Sequence, residues 1–230
     1  MSASDKVFVI AEGGSNHAGK LDQAKRLVDV AADAGADAVK FQLFRADVLY
    51  PERNQPVHSR VKACEMPREW VPGLMAHAKA RGIEFLATPF DAEAVDLLEE
   101  AGVRAYKWGS SETTNHPLLV KVARTGKPVY LATGMCTMAD IAEAVEVLDA
   151  NGCPEVTVLH CYAVYPTAYA DANLRVIDTL RQAFRKPVGF SDHSLGIALP
   201  VAAAALGAAV IEKHFTLDRT LTGPDHSYAI

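Results

Sequence analysis

The sequence predicts a single α/β domain of the (β/α)8 class, the TIM barrel, on three observations. Eight short apolar, β-branched segments alternate along the chain with helical segments, a pattern typical of parallel strands buried on both faces. One kind of glycine joint recurs between a helix and the strand that follows it. The length of 230 residues is common for a barrel of this class.

The predicted strands are near-continuous hydrophobic runs with few charges before their carboxyl ends. They are Val7–Ala11, Ala38–Leu43, Glu84–Thr88, Ala105–Trp108, Val129–Thr133, Val156–Cys161, Val188–Ser191 and Val210–His214. A doubly wound open sheet is the alternative arrangement. The turn Gly13-Gly14-Ser15-Asn16 after the first strand lacks the G-x-G-x-x-G spacing of a dinucleotide-binding fold. The barrel is therefore favoured.

Helices are predicted between these strands. Four of them are Leu21–Ala34, Ala92–Ala101, Met138–Ala150 and Leu174–Phe184. Thr137 is placed as the N-cap of the third, and Asp140 follows three residues later in a capping-box arrangement. The almost entirely apolar stretch Ile197–Ala209 predicts a buried helix, and Leu43–Pro67, with three prolines, predicts a long loop that acts as a lid.

The helix–strand joints share one glycine, which supplies the left-handed conformation that ends a helix without a Cβ penalty. Its six copies are Gly35, Gly82, Gly102, Gly126, Gly152 and Gly207. Six copies of one joint indicate one supersecondary unit used repeatedly. Only Thr216–Ile230 follow the eighth strand, so we expect all eight strands but no final outer helix.

Composition excludes several classes of protein. The net charge of −5, from 28 acidic and 23 basic residues without a basic block, argues against nucleic-acid binding. No uncharged apolar stretch reaches 18 residues, so we expect no membrane span. The N-terminal residues 1–6 lack the layout of a signal peptide, and the four cysteines show no C-x-x-C spacing. We expect a cytoplasmic protein.

Polar side chains gather at the carboxyl ends of the predicted strands, the rim on which barrel enzymes carry their active sites. From the first strand to the eighth they are Glu12, Lys40 with Gln42, Thr88, Lys107 with Ser110, Thr133, His160 with Tyr165 in its loop, Ser191 with His193, and Glu212 with His214. Ionisable groups in apolar strands are costly unless they are paired or bind a ligand. Any one of them fits a structural ion pair, but the whole set indicates a site.

Two kinds of chemistry follow from these residue types. Lys40 and Lys107, with the nearby Ser and Thr hydroxyls, suit a phosphorylated or carboxylated substrate. His193 and His214 end adjacent strands, so both imidazoles could bind one divalent cation such as Mn²⁺, Fe²⁺ or Zn²⁺.

Further candidates lie near the same rim. Glu12 and Asp225 are candidates for proton transfer or for additional metal ligation. Three histidines, His17, His160 and His226, also fall close to the rim.

Eight motifs follow one another over almost the whole chain. They are Ile10–His17, Gly35–Gln42, Ala87–Asp91, Ala105–Ser110, Ala132–Met135, His160-Cys161 with Tyr165-Pro166, Gly189–Gly196, and Val210–Leu217 with Gly223–His226. Together they resemble the motifs of the N-acetylneuraminate (sialic acid) synthase family.

The resemblance implies a TIM barrel that condenses phosphoenolpyruvate with N-acetylmannosamine or a related N-acyl amino sugar. The products are a nonulosonic (sialic-type) acid and phosphate. It implies a divalent metal, Mn²⁺ or Mg²⁺, held by His193 and His214, that polarises the sugar aldehyde as a Lewis acid. Carbon 3 of phosphoenolpyruvate attacks the aldehyde, water adds at carbon 2, and phosphate leaves by C–O cleavage.

The resemblance also implies roles for particular residues. Five positions contact phosphoenolpyruvate: Lys40, Thr88, Lys107, Ser110 and Ser191. Three others lie at the reacting centre or the sugar: Glu12, Tyr165 and Asp225. By the same resemblance we expect a homodimer.

The chain departs from the family pattern at several positions. Ala132 and Ala163 stand where the family usually has small polar residues, which removes two expected hydrogen bonds to phosphoenolpyruvate, and Tyr162 replaces a threonine. Gly13 follows Glu12 where a bulky aliphatic residue is usual. Family members continue into an eighth helix and a small antifreeze-like domain. We expect residues 1–230 to be one barrel domain without that second domain.

Two alternatives remain open at this point. One is a barrel that binds phosphoenolpyruvate or a sugar without catalysis, because of the short C-terminal region and the two alanines. The other is a different metal-dependent lyase or aldolase, which would act without phosphoenolpyruvate.

Overall fold

In the computed structural model, which describes residues 6–50 and 55–230, the predicted strands pair side by side as one parallel sheet. The strands are β1 (Phe8–Gly14), β2 (Ala38–Leu43), β3 (Glu84–Pro89), β4 (Tyr106–Trp108), β5 (Val129–Ala132), β6 (Val156–Cys161), β7 (Val188–Asp192) and β8 (Val210–His214). Their order is β3-β2-β1-β8-β7-β6-β5-β4, and the outermost strands β3 and β4 also lie in contact. The sheet is a nearly closed barrel, as predicted.

Helices alternate with the strands around the barrel. They are α1 (Leu21–Asp33), α2 (Ala46–Leu49), α3 (Gln55–Lys62), α4 (Val71–Ala80), α5 (Ala92–Ala101), α6 (His116–Ala123), α7 (Met138–Ala150), α8 (Val176–Phe184) and α9 (Ala198–Ala205). The capping box of α7 is confirmed, since Thr137 and Asp140 bond reciprocally to each other's backbone amides. None of the described helices is long and apolar enough to cross a membrane.

The repeated glycine joint is confirmed at all six predicted positions. Each of these glycines has a left-handed backbone, with φ between 69° and 96°. Every joint is followed within a few residues by a strand of the barrel. The repeat therefore sets the path of the chain from each helix back to the next strand. As a result, the carboxyl ends of the strands all lie at the same rim of the barrel.

Strand alternation separates the core from the site. An apolar cluster fills the lower part of the barrel, and it consists of Ile10, Ala38, Leu86, Ala105, Leu159 and Val210. Along β8, Val210 belongs to this cluster, whereas Glu212 and His214, two and four residues further, line a polar cavity above it. Because side chains alternate with a period of two, the same inward face changes from apolar to ionisable along one strand.

Two expectations about the outer layer are wrong. The apolar stretch Ile197–Ala209 is helical only over α9, and it is not buried, because Ile197 and Val201 are 61% and 62% exposed. One side of α9 packs on β7 and β8, and among the described residues nothing covers its outer side. Apolar composition alone does not report how many sides of a helix are covered.

The segment Leu43–Pro67 is not a continuous loop, because it contains α2 and α3. Residues 51–54 of this segment, and residues 1–5, where no signal peptide is predicted, lie outside the described ranges. No helix occurs in the described residues 215–230 that follow β8, as expected.

From the close packing inside the barrel we predict how one added methyl group changes the free energy of unfolding. In the variant Gly189→Ala, the new Cβ would lie 2.5 Å from the carbonyl oxygen of Val210 and 2.6 Å from Leu159 Cδ2. Because backbone cannot move aside cheaply, we expect a loss of about 3 kcal/mol in the free energy of unfolding, measured by urea denaturation. The control Gly73→Ala in α4, where no atom lies within 4 Å of the added Cβ, should raise stability by up to about 1 kcal/mol. Equal effects of the two variants would contradict this packing.

Candidate active site

The carboxyl ends of the strands surround a polar cavity of about 200 Å³, here called the inner cavity. Nine of the ten predicted site residues line it: Glu12, Lys40, Thr88, Lys107, Ser110, Tyr165, Ser191, His193 and His214. The tenth, Asp225, lines an adjoining outer cavity of about 310 Å³. Three residues, Gln42, Tyr165 and His214, belong to the walls of both cavities. The structure thus brings the whole predicted set together.

Four buried charges form the floor of the inner cavity and are called the charge quartet. Lys40 Nζ lies 3.1 Å from a carboxylate oxygen of Glu12 and 3.1 Å from one of Glu212. Lys107 Nζ lies 3.2 Å from the other oxygen of Glu212. All four side chains are at most 6% exposed. Two cations and two anions balance, which is what burial of four charges requires.

Protonation differs between the two carboxylates of the charge quartet. Burial raises the pKa of Glu12 to about 7, although Lys40 opposes that shift. For Glu212 burial acts in the same direction, but Lys107 and Lys40 outweigh it, so the pKa of Glu212 lies below its usual range. Burial disfavours the charge on Lys40, yet Glu12 and Glu212 together raise the Lys40 pKa. At neutral pH Glu212 is therefore the permanent anion, and Glu12 is the group that can exchange a proton.

Hydrogen bonds hold two of these groups in place. Lys40 Nζ donates to Thr88 Oγ1 at 3.1 Å, and the amide of Gln42 donates to Glu12 Oε1 at 2.9 Å. Glu12 Oε2 is buried and has no hydrogen-bond partner in the structure. One oxygen of Glu12 is thus held by its neighbours, and the other is available to a ligand.

His193 and His214 stand side by side, with ring centroids 5.5 Å apart. Burial lowers the pKa of His193 to about 3 and that of His214 to about 4, so both imidazoles are neutral at pH 7. His193 Nδ1 lies 2.9 Å from the carbonyl oxygen of Tyr162; donation of an Nδ1–H there leaves Nε2 with a free lone pair. His214 Nδ1 is buried without a hydrogen-bond partner.

These features fit a divalent metal ion that takes two ligands from the protein. Neutral imidazoles are good ligands for divalent transition metals, and Mn²⁺ or Mg²⁺ completes its shell with water and substrate oxygens. Within residues 6–50 and 55–230, no group of three or more His, Cys, Asp and Glu side chains is arranged to hold a metal ion. The two histidines are therefore the part of the predicted site that fits a metal, without a complete protein cage.

Asp225 is held from two sides at the outer cavity. Its Oδ2 accepts hydrogen bonds from the Ser15 amide at 3.2 Å and the Ser15 hydroxyl at 2.9 Å, and its Oδ1 accepts one from Tyr228 at 2.8 Å. Burial opposes ionisation, but His214, Tyr228 and Ser15 lower the pKa of Asp225. Because His214 is neutral at pH 7, the donors Tyr228 and Ser15 are those that keep Asp225 ionised there.

A buried ion pair outside the barrel links the strands that carry the two histidines. Asp192 and Lys213 are register partners of β7 and β8, and Lys213 Nζ donates to Asp192 Oδ2 at 2.6 Å. Lys213 also donates to the carbonyl oxygen of Ser194 at 2.7 Å. Since His193 and His214 directly follow the two paired residues, this ion pair joins the strand ends that carry the imidazoles.

Three histidines near the rim lie outside both cavities, and the role of one glutamate was not identified from the sequence. His17, His160 and His226 are buried, but none of the three lines either cavity. Glu212 was noted at a strand end without a role, yet it contacts both lysines of the charge quartet. Its spacing of two from His214 on one strand is the signal that could have identified it.

Known proteins are similar to this chain over most of its length. A model of the NeuB family matches residues 27–230. The chain is 43% identical over 240 residues to the N,N'-diacetyllegionaminic acid synthase of Campylobacter jejuni, covering 98% of this chain and 72% of that protein. It is 38% identical over 239 residues to the human N-acetylneuraminate-9-phosphate synthase, covering 97% and 66%.

A solved structure is also similar. The N-acetylneuraminic acid synthetase of Leptospira borgpetersenii, in complex with citrate, superposes with a TM-score of 0.94 at 39% identity, over 98% of this chain and 79% of that one. The chain spans between 63% and 72% of the length of four curated relatives that it matches.

The Asp192–Lys213 pair predicts a large loss of stability in the variant Lys213→Met. Removing the ammonium leaves a buried carboxylate unpaired, which we expect to cost about 3 kcal/mol in the free energy of unfolding. The matched control is Lys186→Met, whose partner Asp149 lies 2.8 Å away at the surface; its loss should stay below about 1 kcal/mol. Urea denaturation of both variants measures the difference, and a Lys213 variant as stable as the control would refute the buried pair.

Proposed function

Because the chain belongs to the NeuB family, we propose that it catalyses the metal-dependent condensation of phosphoenolpyruvate with an N-acyl amino sugar, giving a nonulosonic acid and phosphate. The observation that carries this proposal is the pair of adjoining cavities. The inner one has two lysines on its floor, the outer one has a carboxylate and two tyrosines, and a histidine belongs to both walls. Such a division suits one anionic and one hydroxylated substrate that must meet.

The inner cavity suits phosphoenolpyruvate. Lys40 and Lys107 supply two ammonium groups for its phosphate and carboxylate, and the hydroxyls of Thr88, Ser110 and Ser191 line the same wall. Glu212 holds both ammonium groups in place before the substrate arrives, so little reorganisation is needed on binding. When Glu12 takes up a proton, the charge quartet gains one positive charge, which favours an anionic ligand.

His193 and His214 would hold the divalent ion, Mn²⁺ or Mg²⁺. When bound there, the ion supplies Lewis acidity that makes the aldehyde carbon of the open-chain sugar more electrophilic.

We assign proton transfer to Glu12. Its pKa of about 7 lets it hold a proton near neutral pH, and the free atom that can carry this proton is Oε2. As carbon 3 of phosphoenolpyruvate bonds to the aldehyde carbon, the aldehyde oxygen gains negative charge, and Glu12 donates its proton to that oxygen. The resulting carboxylate can then accept a proton from the water that adds at carbon 2.

The outer cavity suits the sugar. The ionised Asp225 accepts hydrogen bonds from sugar hydroxyls, and the ring of Tyr165 offers an apolar face to the C–H side of the sugar. The relatives are synthases of different acids, and for this chain we propose N-acetylmannosamine or a related N-acyl hexosamine as the acceptor. The homodimer and the cytoplasmic location stay predictions.

Ala132 and Ala163 favour a second candidate, a barrel that binds phosphoenolpyruvate without turnover. Both alanines line the inner cavity, where neither side chain can supply a hydrogen bond. Against this, the two lysines and three hydroxyls that suit phosphoenolpyruvate are all present in the same cavity. Catalysis is therefore the function that we put first.

The proposed function predicts that phosphate release requires three components together. We expect release from the full chain only with phosphoenolpyruvate, Mn²⁺ and an acceptor from a panel of N-acyl hexosamines that begins with N-acetylmannosamine. A colorimetric phosphate assay measures it, with each component omitted in turn as control. If calorimetry shows that phosphoenolpyruvate binds but no acceptor gives phosphate release, the non-catalytic barrel is supported. Phosphate release in the absence of an acceptor sugar would contradict a synthase.

The histidine pair predicts the effect of removing one imidazole. His214→Ala should abolish the Mn²⁺-dependent release and weaken calorimetric binding of Mn²⁺ by at least about tenfold, because one of two protein ligands is lost. The circular dichroism of the folded chain should stay unchanged. The control His77→Ala removes an imidazole from α4 that pairs with Asp29 outside the site, and it should keep both properties. Normal Mn²⁺ dependence of the His214 variant would show that the ligand assignment is wrong.

A further inference from the structure

The outer cavity has one wall that no sequence motif predicted. Tyr228 lines it, although the residue lies fourteen positions beyond the end of β8. Two backbone hydrogen bonds bring it there: the Ile230 amide donates to the carbonyl oxygen of His214 at 3.1 Å, and the Thr216 amide donates to that of Ile230 at 2.9 Å. The segment around Tyr228 is thereby attached to the end of β8, and Tyr228 is 5% exposed.

The ring of Tyr228 packs against two other residues of the same wall. Its centroid lies 5.1 Å from that of His214 in an edge-on arrangement and 5.3 Å from that of Tyr165. Tyr165 and His214 also belong to the inner cavity. The Tyr228 ring thus forms a wall of the outer cavity beside the two residues that this cavity shares with the inner one.

The hydroxyl of Tyr228 acts on Asp225. It donates to Oδ1 at 2.8 Å, whereas both bonds from Ser15 go to Oδ2. Tyr228 is therefore the donor that holds Oδ1 and prevents rotation of the carboxylate about its own axis.

We propose that Tyr228 is a specificity-determining and positioning residue for the acceptor sugar: its ring limits the space in the outer cavity, and its hydroxyl fixes the carboxylate of Asp225 that receives the sugar hydroxyls. This inference rests on the proposed function. It commits to a sugar as the ligand of the outer cavity and leaves phosphoenolpyruvate binding, in the inner cavity, independent of Tyr228.

The first test removes only the hydroxyl. In Tyr228→Phe the ring remains, and Asp225 Oδ1 loses its donor. We expect the KM for the acceptor that works best in the panel to rise about tenfold, as for the loss of one hydrogen bond to a charged group. The KM for phosphoenolpyruvate should stay unchanged, because this hydroxyl bonds to Asp225 of the outer cavity and not to the lysines of the inner one. A purely structural role would move both values together.

The second test removes the ring. Tyr228→Ala opens the outer cavity, so the ratio of kcat/KM for an N-butanoyl sugar to that for the matching N-acetyl sugar should rise above the wild-type ratio. Tyr106→Phe is the matched control for Tyr228→Phe, because Tyr106 also donates its hydroxyl to a carboxylate, that of the half-buried Glu99, at 2.6 Å, but on the side of β4 that faces α5. It should change neither KM nor the ratio.

The outcomes separate this inference from the proposed function. Suppose that the wild type turns over a sugar of the panel, or binds one in calorimetry. If the two Tyr228 variants then leave the KM or affinity for this sugar and the N-acyl ratio unchanged, the inference is overturned and the proposed function stands. If the variants raise the KM for phosphoenolpyruvate as much as that for the sugar, it is overturned too, because the effect is structural. If the wild type neither turns over nor binds any panel sugar, the proposed function fails and this inference fails with it.

Discussion

The need to neutralise four charges in the interior of the barrel is the constraint on which the rest of the site depends. A single buried ion costs several kcal/mol even after relaxation, so each of Glu12, Lys40, Lys107 and Glu212 must lie within contact distance of an opposite charge. β1 lies between β2 and β8, but β4 stands at the far end of the strand order. Lys107 therefore reaches Glu212 across the interior, and only a sheet that curves into a barrel makes this contact possible.

The strands and their joints were predictable because each has a local physical cause. Left-handed glycines end the helices, and β-branched runs follow them, so bounds such as Val156–Cys161 and Val210–His214 are recovered without change. The period of two then places Glu212 and His214 on one face of β8. The pairing inside the charge quartet was not predictable, because no local pattern states which lysine reaches which glutamate across the interior.

Features that depend on coverage by distant segments were the ones that the sequence could not predict. The apolar residues of α9 suggested burial, yet Ile197 and Val201 are exposed, since hydrophobicity reports the preference of a side chain and not the presence of a neighbour. Tyr228 is the opposite case. It lies in a short irregular segment without periodicity, and two backbone hydrogen bonds to β8 bring it into the site.

The two cavities differ in what holds their walls, and this difference has a consequence for how the site can vary. The lysines of the inner cavity sit on strands, where a shift of one residue turns every side chain to the other face, so their positions are tightly constrained. Asp225 and Tyr228 of the outer cavity sit on a segment outside the strands, where substitutions leave the register intact. Under the proposed function, substitutions at Asp225 or Tyr228 can therefore change the acceptor without disturbing the strands, although Gln42 and His214 of the same cavity lie on β2 and β8. Relatives that are synthases of different acids can then share the phosphoenolpyruvate end of the site, because the charge quartet is fixed by the barrel and the sugar end is not.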